Sequence, residues 1–180
     1  DGDSALLCLP IRYIAGKMML VRALVLGLHL DIIPPKTKLP IEKDYTFAAL
    51  IPLQANASFD VLGRFKTVLI GGAPIPTDLR KRISKKYKHC IETYGMTETL
   101  THVATRIVSD AVIPFRAMPG IGISTDENDC LVLEVPYLPL SPLVTQDVVR
   151  LEGRDSFRLF GRRDLVINSG GMKIFPEALE

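Results

Sequence analysis

Tryptophan is absent from this 180-residue chain. Cysteine is scarce. Cys8, Cys90 and Cys130 are far apart, odd in number and form no CxxC pair. That excludes a disulfide framework and a thiolate metal site, and leaves buried free thiols in a reducing compartment. Histidine is equally thin: His29, His89 and His102 are scattered and build neither a metal site nor a catalytic triad. No charge of one sign dominates, since 22 basic against 20 acidic residues leave +2. Nothing in bulk charge therefore calls for nucleic acid or an anionic membrane. Long hydrophobic runs are missing too. The longest, residues 18–30, is broken by Arg22 and is too short to span a bilayer. It also starts too far into the chain, with no basic leader, to be a signal peptide. There is no internal repeat and no low-complexity segment.

What is present is a core. Hydrophobic residues make up 47% of the chain, which argues for a packed fold and against disorder. The length suits one domain or a piece of something larger. The first half alternates helix and strand signals. Residues 16–28 form an apolar helical run, and residues 30–33 a short strand stopped by Pro34-Pro35. Residues 41–53 read as a helix with Pro52 near its end. Residues 66–70 (KTVLI) are a β-branched strand entering Gly71-Gly72-Ala73-Pro74, and a helix starts near Pro76. In that helix Leu79, Ile83 and Tyr87 recur every four residues, while Arg80, Lys81, Arg82, Lys85, Lys86 and Lys88 supply a wet face. Residues 90–93 form the next strand. Such alternation predicts an α/β fold, a parallel sheet flanked by helices.

After about residue 102 short strands follow one another, at 102–108, 130–135, 147–152 and 157–160. Clusters such as TDEND at 125–129 separate them. This predicts an antiparallel β subdomain. Residues 165–174 read as two short strands around Ser169-Gly170-Gly171, and Pro176-Glu177 open a helix. The chain starts at Asp1 without methionine and stops one turn into that helix, so it is expected to be a central fragment of a longer protein.

Four segments can carry chemistry, and each has a plain structural alternative. Gly71-Gly72-Ala73 between strand and helix lets backbone approach a flat or anionic group, or is only a turn. Tyr94-Gly95-Met96-Thr97-Glu98-Thr99 combines a stacking ring, hydroxyls for phosphate and a carboxylate for Mg²⁺, or is a helix start capped by Thr97. Arg162-Arg163-Asp164 is a ligand contact or a surface turn with local ion pairing. Asp147 after Thr145-Gln146 can accept from vicinal hydroxyls, or closes an ordinary turn.

Their order and spacing resemble the adenylate-forming superfamily of acyl- and aryl-CoA synthetases, luciferases and peptide-synthetase adenylation domains. YGMTET and GRRDLVINSGGMKIFPEALE are the strongest segments, and the resemblance covers nearly the whole chain. It implies part of a large adenylation domain over residues 1–163. Residues 164–180 would be the hinge and the beginning of a small carboxyl-terminal domain. It assigns Gly71, Gly72 and Ala73 to adenine, Tyr94 to stacking on it, and Gly95 to the same nucleotide site. Thr97 would contact phosphate, and Glu98 the Mg²⁺. Asp147 would grip the ribose hydroxyls with Arg162 as basic partner. Asp164 would be the hinge, and Gly170 and Gly171 would line the pantetheine tunnel. ATP, AMP, Mg²⁺, CoA and a carboxylic acid are the implied ligands, in the cytoplasm, with no nucleic acid.

This sequence departs from the family pattern in places. The Ser/Thr/Gly-rich phosphate loop is expected before residue 1, and a catalytic lysine beyond residue 180. Gln146 replaces a usual glycine, Asn168 a common lysine, and Tyr13 a frequent histidine. The fragment alone is therefore expected to be inactive. Arg22 sits in an otherwise apolar helix, so it either snorkels to solvent or holds a substrate carboxylate. The Gly-x-x-x-x-x-Arg pattern of residues 16–22 and the compact Val144-Thr145-Gln146-Asp147-Val148-Val149 segment most resemble the o-succinylbenzoate–CoA ligase branch of menaquinone biosynthesis, whose acid is a dicarboxylate, with Tyr13 and Arg22 as substrate residues. Another acyl-CoA ligase, an amino-acid adenylation domain and a non-catalytic adenylate-binding fragment are the alternatives.

Overall fold

The computed structural model describes residues 2–169 and 172–174. The chain divides into two compact units. The first, Asp1–His102 with Ile107–Val112, holds strands β1 (Ser4–Leu7), β2 (His29–Ile32), β3 (Tyr45–Leu50), β4 (Phe65–Ile70) and β5 (Cys90–Gly95). Their order is β2-β1-β3-β4-β5, and every pairing is parallel. Helices α1 (Ile14–Leu26), α2 (Pro52–Ala57) and α3 (Thr77–Lys86) are the connections. The expected α/β architecture is therefore present.

The strands bury both faces, as central parallel strands must. Leu6, Ala48, Leu50, Val68, Ile70 and Cys90 join Leu79 and Ile83 of α3 in one core. Ala5 and Leu7 turn the other way, to Met19 of α1, with Phe47 and Ala49 packed alongside. Successive residues alternate between the two layers because the strand period is two. Helix α1 ends at Gly27, whose left-handed φ of +64° closes the last turn. At its start a Cβ on Gly16 would stand 2.4 Å from the Pro10 carbonyl oxygen, so only glycine lets residues 10–16 fold this tightly.

One expectation fails. Residues 41–53 are not a helix: Tyr45–Leu50 is a strand, and Pro52 opens α2 rather than ending a helix. Proline fits the first turn of a helix, where its missing N–H is not needed. Tyr45, Thr46 and Phe47 favour the extended chain. A second correction concerns α3. Arg80 belongs to the basic run expected to face solvent, yet it is 4% exposed. It lies beside Leu79 and is neutralised from β5, as described below.

The second unit, Val103–Arg106 with Ile113–Glu180, is antiparallel. It contains most of β6 (His102–Ile107), then β7 (Phe115–Ala117), β8 (Gly122–Thr125), β9 (Cys130–Glu134), β10 (Leu143–Leu151) and β11 (Ser156–Arg162). Their order is β6-β7-β11-β10-β9-β8. Phe115 and Phe157 stack at 5.6 Å over its core. The β8–β9 turn is held by Asp126, which accepts from the backbone N–H groups of Asn128 and Cys130 at 2.9 and 2.8 Å. A small antiparallel pair, β12 (Ile167–Ser169) and β13 (Met172–Ile174), follows. Gly170, Gly171 and the helix opening at Pro176-Glu177 lie outside the described residues.

Candidate active site

Because β1, β3, β4 and β5 run parallel, their carboxyl ends emerge on one edge of the first unit. Ligands bind there in open α/β sheets. A cleft of about 420 Å³ lies on that edge. Leu9 follows β1 into it, Leu50 and Ile51 close β3, Gly71 and Gly72 follow β4, and Thr93 and Gly95 end β5. Helix α1 forms another wall with Ile14, Met18 and Arg22, one face at four-residue spacing. Gly72 has φ +82°, a conformation a side chain would strain.

The segment after β5 is a turn, not a capped helix. Thr99, fully buried, accepts from the Met96 N–H at 3.0 Å, and its hydroxyl also faces the Thr101 carbonyl at 2.8 Å. Leu100 takes a positive φ of 62° to complete the bend. This holds Thr97 and Glu98 exposed in the cleft wall. Neither side chain has a hydrogen bond or ion pair among the described residues. A free carboxylate oxygen on a cleft wall suits Mg²⁺, which takes one or two carboxylates and completes its shell with water and phosphate.

Arg22 is half-buried in the same cleft. Its Nη2 donates to Thr101 Oγ1 at 2.8 Å and lies 3.3 Å from His102 Nδ1. Among the described residues no carboxylate pairs with it. Burial lowers the Arg22 pKa from its ordinary value, which still leaves it charged. Burial, and then the Arg22 charge, push His102 below 6.5. The site thus offers an immobilised cation with no anion bonded to it among the described residues.

The other expected residues distribute as follows. Ala73 and Tyr94 do not line the cleft. Tyr94 is buried on the β5 face that carries Cys90 and Glu92. On that face Glu92 pairs with Arg80 of α3 at 2.5 Å, both almost fully buried. Tyr13 caps α1, mostly exposed, with the Arg12 guanidinium 4.8 Å over its ring. In the second unit Asp147 and Arg162 are register partners across β10 and β11. Arg162 makes a two-pronged bridge to Asp164, with Nε and Nη2 each 2.9 Å from a carboxylate oxygen. That bridge holds the Asp164 carboxyl below its ordinary value. Thr101 and His102 were not anticipated. Their signal was positional: they follow YGMTET directly, so the chain has not yet left the cleft edge.

The family model of AMP-binding enzymes matches residues 1–142. The 2-succinylbenzoate–CoA ligase of Salmonella typhimurium is 29% identical, over 99% of this chain and 42% of its own length. Its Escherichia coli counterpart is 28% identical, over 100% and 43%. Among solved structures, an acyl-CoA synthetase (AMP-forming)/AMP-acid ligase II-like protein from Dyadobacter fermentans superposes with TM-score 0.81 at 36% identity. That likeness covers 97% of this chain and 53% of the other. A variant of E. coli MenE with bound OSB-AMS gives 0.80 at 25% identity, covering 100% and 44%. The chain therefore spans about half or less of the length of these relatives.

Proposed function

The chain belongs to the AMP-binding enzyme family, and we propose that it is the central part of an AMP-forming acid–CoA ligase acting on an aromatic dicarboxylate such as o-succinylbenzoate. The observation that carries the acid is Arg22, a half-buried guanidinium in the cleft with hydrogen-bond acceptors but, among the described residues, no carboxylate bonded to it. A dicarboxylate has one carboxylate to activate and one to be held, and the held group supplies the missing anion. The likeness to two bacterial 2-succinylbenzoate–CoA ligases supports the same acid.

In the first half-reaction a carboxylate oxygen attacks the α-phosphorus of ATP and pyrophosphate leaves. In the second, the CoA thiol attacks the acyl carbon and AMP leaves with the C–O bond electrons. Glu98 would hold the Mg²⁺, which neutralises phosphate charge when bound. Thr97 offers a hydroxyl to phosphate. Gly71, Gly72 and Gly95, which line the cleft, would serve adenine, with Ala73 completing the loop. The stacking role expected of Tyr94 is not carried over, because its ring is buried beside Cys90 and Glu92 and does not line the cleft. Asp147 takes the ribose hydroxyls with Arg162 beside it, and Gly170 and Gly171 serve the pantetheine arm. Asp164, tied to Arg162, is the hinge at which the small domain begins after residue 163. Separating the two half-reactions in one cleft by a rotating lid keeps water from the adenylate. Tyr13, at the head of α1, flanks the acid. The likeness to bacterial biosynthetic ligases supports work in the cytoplasm.

The test uses the full-length parent with o-succinylbenzoate, ATP, Mg²⁺ and CoA. AMP, pyrophosphate and a thioester are expected; ADP and phosphate would exclude the route. Arg22→Leu should cost the dicarboxylate about 2–5 kcal/mol in kcat/KM, as for an ionic group left buried without its partner. An aromatic monocarboxylate should be spared, and equal losses for both acids would remove Arg22 from the acid site. A broader acyl-CoA ligase is the second reading. The 36% identity to the Dyadobacter acyl-CoA synthetase-like protein favours it, and activity confined to monocarboxylates would select it.

A further inference from the structure

The Arg22 guanidinium is not simply near the cleft; one of its corners is fully occupied. Both hydrogens of Nη2 have acceptors, Thr101 Oγ1 at 2.8 Å and His102 Nδ1 at 3.3 Å. Nη1 reaches only the weakly accepting Met19 sulfur, at 4.0 Å. We infer that His102, with Thr101, is a positioning residue for acid recognition: it fixes Nη2 so that Nη1 is left for the anion, and it does so as a neutral ring protonated on Nε2. This deepens the reading of Arg22 as the cation for the second carboxylate, and rests on it.

A guanidinium only donates. The imidazole nitrogen facing it must therefore carry a lone pair, which places the ring proton on Nε2. A protonated ring would turn N–H against N–H and set two cations together. Burial and the Arg22 charge both favour the neutral ring. Two charged groups besides the ring itself line this cleft, Arg22 from α1 and Glu98 from the turn after β5. Glu98 bonds neither Arg22 nor His102. The platform beneath the tether is also fixed. A Cβ on Gly95 would meet the Thr101 carbonyl oxygen and His102 Cα at 2.6 Å each, and the Thr99 hydroxyl holds that carbonyl at 2.8 Å. With residues 101 and 102 so closely packed, the tether sets the direction of the guanidinium. Its loss frees a long side chain to other rotamers.

The experiment has two arms. In the first, nitrogen-15 NMR of the imidazoles in this chain should show His102 protonated on Nε2 and unprotonated on Nδ1 at neutral pH. Its titration should move up in Arg22→Leu. A proton on Nδ1, or a titration indifferent to Arg22, overturns the tether whatever the substrate. In the second arm, on the full-length parent, His102→Leu should lower kcat/KM for the dicarboxylate about ten- to a hundredfold, chiefly through KM, the loss of one charge-assisted hydrogen bond. His102→Asn, whose amide oxygen can accept from Nη2, should recover most of it. In an Arg22→Leu background, His102→Leu should add nothing. Additive losses, or no rescue by asparagine, would make His102 merely structural. A wild-type parent that turns over only monocarboxylates would defeat the dicarboxylate reading itself, and is visible before any His102 variant is made.

Discussion

Glu92→Gln should destabilise the first unit severely, though the change is nearly isosteric. Arg80 of α3 is 4% exposed and Glu92 of β5 is 3% exposed, and they meet at 2.5 Å. Arg80 Nη1 is already buried without a hydrogen-bond partner. The glutamate charge is what makes a guanidinium tolerable between α3 and the sheet. Removing one partner of such a pair costs about 3–5 kcal/mol, because the other charge is left desolvated. Total stability for a domain is about 5–15 kcal/mol, so at least a fifth of it is lost. With a urea slope of about 2 kcal/mol/M, the midpoint should fall by about 1.5–2.5 M. Urea unfolding followed by circular dichroism measures this. The double variant Arg80→Met with Glu92→Leu should recover most of the loss, since no charge remains to be buried. A single-variant shift below about 0.5 M, or a double variant as unstable as the single, would refute this account of the pair.

Gly95→Ala should displace residues 101 and 102, because the new methyl would overlap backbone atoms at 2.6 Å. Loss of the Arg22 effect on His102 titration measures it, and an unchanged titration contradicts it. His102 also makes stability pH-dependent. Its folded-state pKa lies below the ordinary 6.5, so the unfolded chain binds the proton better. Its contribution is complete above about pH 6.5 and is lost as the pH falls through the folded value. The urea midpoint of His102→Asn should be flatter than that of the parent in this window, and equal slopes would contradict the shift. In the full-length parent, Asp147→Ala should weaken nucleotide binding by about 3–6 kcal/mol, two charge-assisted bonds at about 1.5–3 kcal/mol each. Unchanged affinity by calorimetry would remove Asp147 from the site. Glu98→Gln should lower turnover at all Mg²⁺ concentrations, and wild-type rates at saturating Mg²⁺ would make Glu98 structural.

The sheet was legible where sequence and burial share a period. In KTVLI the alternate residues Val68 and Ile70 enter the core beneath α3, and Leu79 and Ile83, with Tyr87 just past the helix end, mark its buried stripe. The change to short strands after residue 102 likewise announced the antiparallel unit. Residues 41–53 are ambiguous in sequence because an apolar stretch with a late proline fits a helix end and a helix start equally well. Its neighbours Phe65 and Thr67 on β4, which register with Tyr45 and Phe47, settled the matter through space. Arg80 was invisible for a different reason. Within a basic run, nothing local marks the one cation that meets a carboxylate twelve residues on. The three-residue strand β7 carries too few positions for alternation to appear. In the site, the Gly-Gly turn and Thr97-Glu98 were readable as motifs. Arg22 was readable as an anomaly, one charge in an apolar helix. Its partners were not, since the contact joins α1 to residues nearly eighty positions away.

The most direct test of the central claim follows oxygen rather than rate. With o-succinylbenzoate labelled with oxygen-18 in the carboxyl group that becomes the thioester, the full-length parent is incubated with ATP, Mg²⁺ and CoA, and the products are weighed by mass spectrometry. Attack of that carboxylate on the α-phosphorus, followed by thiol attack on the acyl carbon, must leave one labelled oxygen in AMP. A single oxygen-18 in AMP, with none in pyrophosphate, is the predicted result. Label in inorganic phosphate alongside ADP, or thioester formed with unlabelled AMP, would contradict it.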